Sequence, residues 1–184
     1  PVGPNTTVGT RYANPEKAEV LELGAKIALP TGYLNIAIFD QEIEDFQTNT
    51  FVGTGFVLAN AGSQSADGYE FDLVISPTDN IDLAVSGLFI DPIYDSYVGA
   101  APGDLSGTVP SNTPEDTISS TITWNYNVNG WDSFLRISHL YSSKAQLLEN
   151  PVHQALIEAQ GNGYRKQDTL NLTAGFEKEN LSIT

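Results

Sequence analysis

The sequence predicts an all-β protein made of antiparallel strands, because hydrophobic residues recur at every second position along most of the chain. Two further observations define the kind of protein: the alternating segments are about ten residues long, and their connections alternate between short and long. Strands of soluble sheets average about 5–6 residues, whereas a strand crossing a bilayer at a tilt needs about 9–11. Together these observations predict a segment of an antiparallel transmembrane β-barrel.

The individual strands follow from this alternation. Residues 21–29, 69–76, 118–126 and 169–177 alternate cleanly, and β-branched and aromatic residues are common in them. Residues 33–45, 81–90, 131–142 and the short run 181–184 alternate less regularly. We therefore expect seven strands and the start of an eighth.

The connections fall into two classes. Short turns rich in Gly, Pro and Asn occupy residues 30–32, 77–80, 127–130 and 178–180, and long connections occupy 46–66, 91–115 and 143–167. Within the third long connection, we expect a short helix from Val152 onward. Short periplasmic turns opposite long extracellular loops are typical of outer-membrane barrels. A propeller blade of similar period would hold four strands rather than two.

Charge separates the two faces of the predicted strands. Leu23, Phe71, Ile122, Trp124 and Leu172 belong to faces without any charged residue, so we expect them to contact lipid. The opposite faces carry charge, and the residues expected to line an aqueous lumen are Glu22, Lys26, Glu70 and Asp72. Trp124 and Tyr126 lie close to a short turn, where aromatic girdles of membrane barrels are found.

Composition excludes several other classes of function. The 184 residues include 8 Lys and Arg against 23 Asp and Glu, a formal net charge of −15. Nucleic acid is not an expected partner, because phosphate binding needs basic residues. The chain has no cysteine, and its spacings suggest no nucleophile–base pair and no metal triad. We therefore expect a protein that is not an enzyme and has no catalytic residue, metal or cofactor.

Several motifs in order resemble the barrel of TonB-dependent outer-membrane receptors. These are NPEKAE at 14–19, ELGAK at 22–26, FDQEIEDF at 39–46, NAG at 60–62, GYEFD at 68–72, the stretch 91–97 and PE at 114–115. The resemblance implies a bacterial outer-membrane protein with a 22-stranded barrel. We accordingly expect residues 1–184 to be a partial barrel domain, with the N-terminal plug and the final strands lying outside this sequence.

The resemblance also implies a function and a set of partners. The chain would supply wall and extracellular loops to a receptor that takes up a scarce nutrient, with energy supplied through TonB. The expected nutrient is an iron–siderophore complex. The implied partners are outer-membrane lipid and lipopolysaccharide, the receptor's own plug, the TonB complex and the small-molecule nutrient.

Ligand-facing residues are sought in the long connections. Aromatic rings could stack on a ligand and charged groups could orient it, and the candidates are Phe51, Phe56, Asp91, Tyr94, Asp95, Tyr97 and Arg165. The alternative role for the rings is packing against a neighbouring loop or lipopolysaccharide. The clustered loop carboxylates could bind a divalent cation such as calcium, but they match no EF-hand spacing and contact with water is the alternative, so the prediction is that they hold no metal. The only cations in predicted loops are Arg11, Lys144, Arg165 and Lys166.

Two other kinds of protein fit parts of the pattern. A small structural outer-membrane barrel would need eight complete strands and pairing of the first with the last. An extracellular β-sandwich or propeller acting as a binding module would place its apolar faces in a dry core. Because a lone barrel segment exposes strand edges and a lipid-facing surface, we expect residues 1–184 in isolation to aggregate.

Overall fold

The computed structural model describes residues 13–51, 56–98, 100 and 103–184, with side chains other than those of 49–51, 56, 57 and 59. Within these residues it contains eight strands and one helix. The elements are β1 (Lys17–Leu29), β2 (Gly32–Phe51), β3 (Phe56–Thr78), β4 (Ile81–Ser96), β5 (Asp116–Val128), β6 (Trp131–Gln146), α1 (Pro151–Glu158), β7 (Tyr164–Lys178) and β8 (Leu181–Ile183). The predicted seven strands and start of an eighth are confirmed.

All eight strands form one sheet in which each strand pairs antiparallel with its neighbours in sequence. The strands are joined at one end, which we call the short-turn end, by two-residue turns at 30–31, 79–80, 129–130 and 179–180. At Asn129 and Gly130 the φ angles are 54° and 80°, as a two-residue type I′ hairpin turn requires. The opposite, long-loop end carries the remaining connections.

The prediction of a long, open connection at residues 46–66 is wrong. Strands β2 and β3 continue to pair beyond a register shift at Phe46, until Phe51 lies opposite Phe56. Close backbone approach makes the shift possible, since a Cβ on Gly62 would lie 2.0 Å from the Ser96 carbonyl oxygen. This connection is therefore mostly an extension of the β2–β3 hairpin.

The other long connections are also shorter than predicted. β4 runs to Ser96, and β6 and β7 extend to Gln146 and from Tyr164. The predicted helix is present as α1, whose N-cap residue Asn150 accepts hydrogen bonds from the backbone N–H groups of Val152 and His153.

Buried hydrophobic residues gather at the long-loop end and not within the sheet. Five of them, which we call the loop cluster, pack together: Phe46, Tyr94, Tyr97, Ala100 and Leu105. By contrast, Leu23 and Leu172 in the middle of their strands are 71% and 70% exposed. A sandwich would cover such residues with a second sheet, so that alternative is wrong, as is a propeller, which would divide the strands among blades. In the described part of the chain β1 and β8 do not pair, so these strands do not close into a small barrel.

Candidate functional site

The strand register makes each side of the sheet chemically continuous. One row of paired residues runs Lys26, Asn35, Asp72, Ser86 and Ser119 across β1 to β5. The row one residue further along runs Ile27, Leu34, Leu73, Val85 and Ser120. Since successive side chains point to opposite sides of a strand, the sheet has a polar face and an apolar face.

On β1 to β3, the polar face carries the charged residues predicted from the sequence. Glu22, Lys26, Glu70 and Asp72 line one open groove of about 610 Å³, together with Asn35. We call this region the acidic sector, because it combines three carboxylates with a single lysine. Each of its charged side chains lies on the face predicted for the lumen.

The polar face of β5 to β7 has a different composition. Its central residues are uncharged apart from one arginine, and the apolar Phe134 and Leu140 lie among them. The polar members, which we call the hydroxyl strip, are Thr117, Ser119, Thr121, Thr123, Arg136, Ser138, Ser142, Gln167, Thr169, Asn171 and Thr173. Arg136 donates from Nε to the buried hydroxyl of Thr123 at 3.1 Å, and its guanidinium lies 5.3 Å from the centre of the Phe134 ring. Two contacts therefore hold Arg136 against the sheet.

Sequence reasoning missed Arg136 because β6 alternates irregularly. His139 interrupts the apolar face of β6 and pairs in register with Leu170 and Ser120, and its Nε2 lies 2.9 Å from Asp168. The polar set at Asp132, Arg136 and Ser138 is spaced in steps of two and four. That spacing was the available signal.

The apolar face carries the residues predicted to contact lipid. Ile122 and Leu172 both pair with Ile137, forming a continuous ladder on one side of the sheet. Phe71 stacks near Phe89, with ring centres 6.4 Å apart. Leu23 and Phe71 also line an open, almost entirely apolar groove of about 740 Å³. These residues lie side by side on a surface and do not converge on a shared interior.

Aromatic residues on this face lie where a girdle was predicted. The rings of Trp124 and Tyr126 are 4.6 Å apart, and both side chains are close to the turn at 129–130. Tyr126 also pairs in register with Ser133, whose strand neighbour on the other side is Phe176. An aromatic belt thus borders the apolar face at the short-turn end.

The loop cluster corrects the expectation that Tyr94 and Tyr97 face a ligand. They are 5% and 4% exposed, because the chain after β4 folds back and the N–H groups of Gly107 and Leu105 bond to the Tyr94 and Tyr97 carbonyl groups. The Phe46 ring stacks on Tyr94 at 5.3 Å and meets the edge of Tyr97 at 5.3 Å. These rings pack the loops together and offer no free face.

A hydrogen bond ties this cluster to the connection between β6 and β7. The Tyr94 hydroxyl donates to the Glu149 carboxylate at 2.6 Å. Burial raises the pKa of Tyr94, and the carboxylate of Glu149 raises it further. The Gln146 amide also donates to the Val109 carbonyl group, and the Asn112 N–H donates to the Gln146 carbonyl group. The two connections therefore form one bonded unit.

The remaining candidates are distributed differently from the prediction. Asp91 and Asp95 lie on β4 rather than in a loop. Asp91 pairs with Asp67 at the edge of the apolar face, and Asp95 accepts a hydrogen bond from Ser65.

Arg165 is exposed on the polar face of β7. The Lys144 ammonium group lies 3.4 Å from the centre of the Tyr164 ring. The side chains of Phe51 and Phe56, and the whole of Arg11, lie outside the described residues.

The described part of the chain contains no group of three or more His, Asp or Glu side chains placed to hold a metal ion. None of its helices is long and apolar enough to cross a membrane.

One antiparallel sheet with strands of 13 to 23 residues across β1 to β3, an apolar face and a polar face is a segment of a membrane β-barrel. The family model described as "TonB dependent receptor-like, beta-barrel" matches residues 2–184, and the chain belongs to this family. Its members are transport receptors of the bacterial outer membrane and not enzymes, which confirms the predicted class and localisation.

Solved structures show the same fold. The ferric yersiniabactin uptake receptor FyuA from Yersinia pestis is similar with a TM-score of 0.66 and 17% identity, over 88% of this chain and 22% of that one. BauA, the ferric preacinetobactin receptor from Acinetobacter baumannii, gives a TM-score of 0.69 and 17% identity, over 90% of this chain and 23% of that one. The chain thus spans less than a quarter of either receptor. No curated protein sequence matches it.

Proposed function

We propose that this chain forms part of the wall and extracellular loops of a receptor that takes up an iron–siderophore complex. Family membership over residues 2–184 carries the proposal, and the two similar structures, both named as receptors for ferric siderophores, support the choice of ligand class. The whole receptor would contain a plug inside the barrel and would draw energy for transport from the TonB complex.

In this proposal the two faces have separate tasks. The apolar face contacts outer-membrane lipid, because a Lys or Arg at the bilayer midplane costs about 2–4 kcal/mol and the middle of this face carries neither. The polar face, with Glu22, Lys26, Glu70 and Asp72, borders the lumen and the plug. The short-turn end is periplasmic, and the long-loop end is extracellular and borders lipopolysaccharide.

The loop cluster supports ligand capture indirectly. Phe46, Tyr94 and Tyr97 fix the shape of the loops, so that less conformational entropy is lost when a ligand binds between them. Direct contacts with the ligand fall to exposed groups such as Arg165. No covalent chemistry is required of any residue.

Uptake by the whole receptor tests the proposal. A strain that lacks the receptor is compared, under iron limitation, with the same strain carrying the full-length gene, and the uptake of radiolabelled ferric siderophores is measured. We expect uptake to depend on the receptor and to stop when a protonophore abolishes the proton-motive force. Receptor-dependent uptake of cobalamin or a carbohydrate, with none of iron, contradicts the ligand class. Uptake that continues in the presence of the protonophore contradicts energy supply through TonB.

A further inference from the structure

The polar face is divided electrostatically along the sheet. On β1 to β3 it carries the three carboxylates of the acidic sector in one groove. On β5 to β7, the described polar-face residues include no carboxylate between Asp132 and Glu177 near the short turns and Arg165 near the long loops. The same lumen would therefore present two walls of different charge.

Arg136 and Arg165 mark the β5 to β7 side with positive charge. Arg136 pairs with Thr173, and Arg165 lies eight residues further along β7 on the same face. At about 3.3 Å per residue, the two positions are about 26 Å apart along the strand. Hydroxyl and amide groups of the hydroxyl strip lie along most of this distance, and Leu140 on β6 interrupts them.

The guanidinium of Arg136 is held in place, and the carboxylate on the far side of Thr123, Asp82, accepts hydrogen bonds from Ser76 and Asn125. The Arg136 Nε–H donates to the Thr123 hydroxyl, and the guanidinium lies over the Phe134 ring. The four N–H groups on its terminal nitrogens remain to bind a ligand. Within the described residues Arg136 takes part in no salt bridge. Arginine remains charged at every physiological pH and binds carboxylate and catecholate oxygens through paired donors.

From this division we propose that an anionic ligand moves through the barrel along the hydroxyl strip, entering at Arg165 and contacting Arg136, while the acidic sector repels it. The inference rests on the proposed function and adds the side of the barrel and the charge class of the iron complex. It also accounts for how a chain of net charge −15 could pass an anion. Neutral hydroxyl and amide groups bind an anion weakly at many points, which permits it to leave each one.

Two asparagines allow the same chemical change on both walls. Asn171 lies in the hydroxyl strip, opposite Ser138, and Asn35 lies in the acidic sector between Lys26 and Asp72. Asn171→Asp and Asn35→Asp each add one carboxylate with almost no change of volume. Both variants are made in the full-length receptor, and their amounts in the outer membrane are equalised by quantitative immunoblotting.

The probes are radiolabelled iron complexes of opposite charge: ferric citrate and a ferric tris-catecholate are anionic, and ferrioxamine B is cationic. For whichever anionic complex the receptor takes up, we expect Asn171→Asp to lower the rate on the order of tenfold. Asn35→Asp should change it by less than about twofold, since that wall already repels anions. Arg136→Gln should also lower the rate, and Arg136→Lys should retain more of it, which keeps the test valid if Asn171→Asp fails to assemble.

The outcomes separate this inference from the proposed function. Equal losses in the two aspartate variants, or no loss in Asn171→Asp and Arg136→Gln while an anionic complex is taken up, overturn the inference alone. Uptake restricted to the cationic complex also overturns it. If the receptor takes up no iron complex, the proposed function fails and the inference fails with it.

Discussion

The loop cluster and the strand wall are stabilised by different surroundings. At the long-loop end, Phe46, Tyr94 and Leu105 are 7%, 5% and 1% exposed within this single chain. In the wall, Leu23, Ile122 and Leu172 are 71%, 40% and 70% exposed. The loop cluster buries its own hydrophobic surface, whereas the wall leaves its apolar face uncovered within this chain, as a surface that contacts lipid would. We therefore expect the effect of a substitution on stability to depend more on whether the residue lies in the loop cluster or in the wall than on the type of residue.

The largest effect is expected in the loop cluster. Phe46→Ala removes the ring that stacks on Tyr94 and meets Tyr97, and truncation of a buried Phe costs about 3–5 kcal/mol. Amide hydrogen exchange on the full-length receptor should show lost protection in residues 94–98 and 103–108 and unchanged protection in β5 to β7.

The matched control lies in the same connection. Val98 is 68% exposed, so Val98→Ala should change amide protection by less than about 0.5 kcal/mol. If Phe46→Ala lowered protection across the whole wall, the loop cluster would not be a separate unit.

The next effect is expected on the apolar face of the wall. Leu172→Arg should destabilise the receptor by about 2–4 kcal/mol in lipid vesicles, because the charge would face hydrocarbon. Denaturant unfolding in vesicles measures it. Thr173→Arg, one residue along on the polar face, should cost less than about 1 kcal/mol, and a reversed order of the two variants would contradict the assignment of faces.

A smaller effect is expected where the loop cluster meets the β6–β7 connection. Tyr94→Phe removes the hydroxyl that donates to Glu149, and the loss of one partner of such a hydrogen bond costs about 1–3 kcal/mol. Limited proteolysis should detect faster cleavage in residues 97–112. Restoring resistance with the additional change Glu149→Gln would support the pairing, and resistance unaffected by Tyr94→Phe would argue against it.

The same contact predicts a pH dependence. The pKa of Tyr94 is raised in the folded protein, first by burial and then by Glu149. The contact therefore contributes its full stability below the ordinary pKa of tyrosine, about 10. That stability is lost as pH rises above this value, because the folded protein resists deprotonation and the unfolded chain does not. Proteolytic resistance of the loops should fall at alkaline pH in the native sequence and less so in Tyr94→Phe.

The smallest effect is expected from the exposed pair His139 and Asp168. Their side chains are 38% and 68% exposed, and Asp168 lies four residues from the long-loop end of β7. A polar contact that water can reach there contributes about 0–1 kcal/mol. Asp168→Asn should therefore change unfolding in vesicles by less than about 1 kcal/mol. A loss as large as that of Leu172→Arg would show that this pair is shielded from water and shares the environment of the lipid-contacting wall.

The contrast between the strand wall and the loop cluster also explains which features could be predicted from the sequence. Strands such as β1 and β7 can be predicted because hydrophobic and polar residues alternate along them. In the proposed wall, this period of two separates the residues that meet lipid from those that meet water. The turn at 129–130 is readable because Asn and Gly supply the positive φ angles. These are local properties of the chain.

The loop cluster depends on contacts that no local pattern encodes. Tyr94 was expected to face a ligand, but the backbone of Gly107 folds back to bond with it and Glu149 reaches it from another connection. Extension of β2 to Phe51 depends on its pairing with β3 beyond the shift at Phe46. For Arg136 the sequence offers only its spacing from Asp132 and Ser138, whereas the register places it directly opposite Thr123.

The central claim is that alternate residues of each strand meet hydrocarbon and water. These 184 residues contain no cysteine. In a full-length receptor whose other cysteines are replaced, single cysteines at Leu170, Asn171, Leu172 and Thr173 can each carry one fluorophore after reconstitution in vesicles. A lipid-borne quencher should act mainly at 170 and 172, and a water-soluble quencher mainly at 171 and 173. Equal quenching at all four positions, or the opposite alternation, would contradict this account.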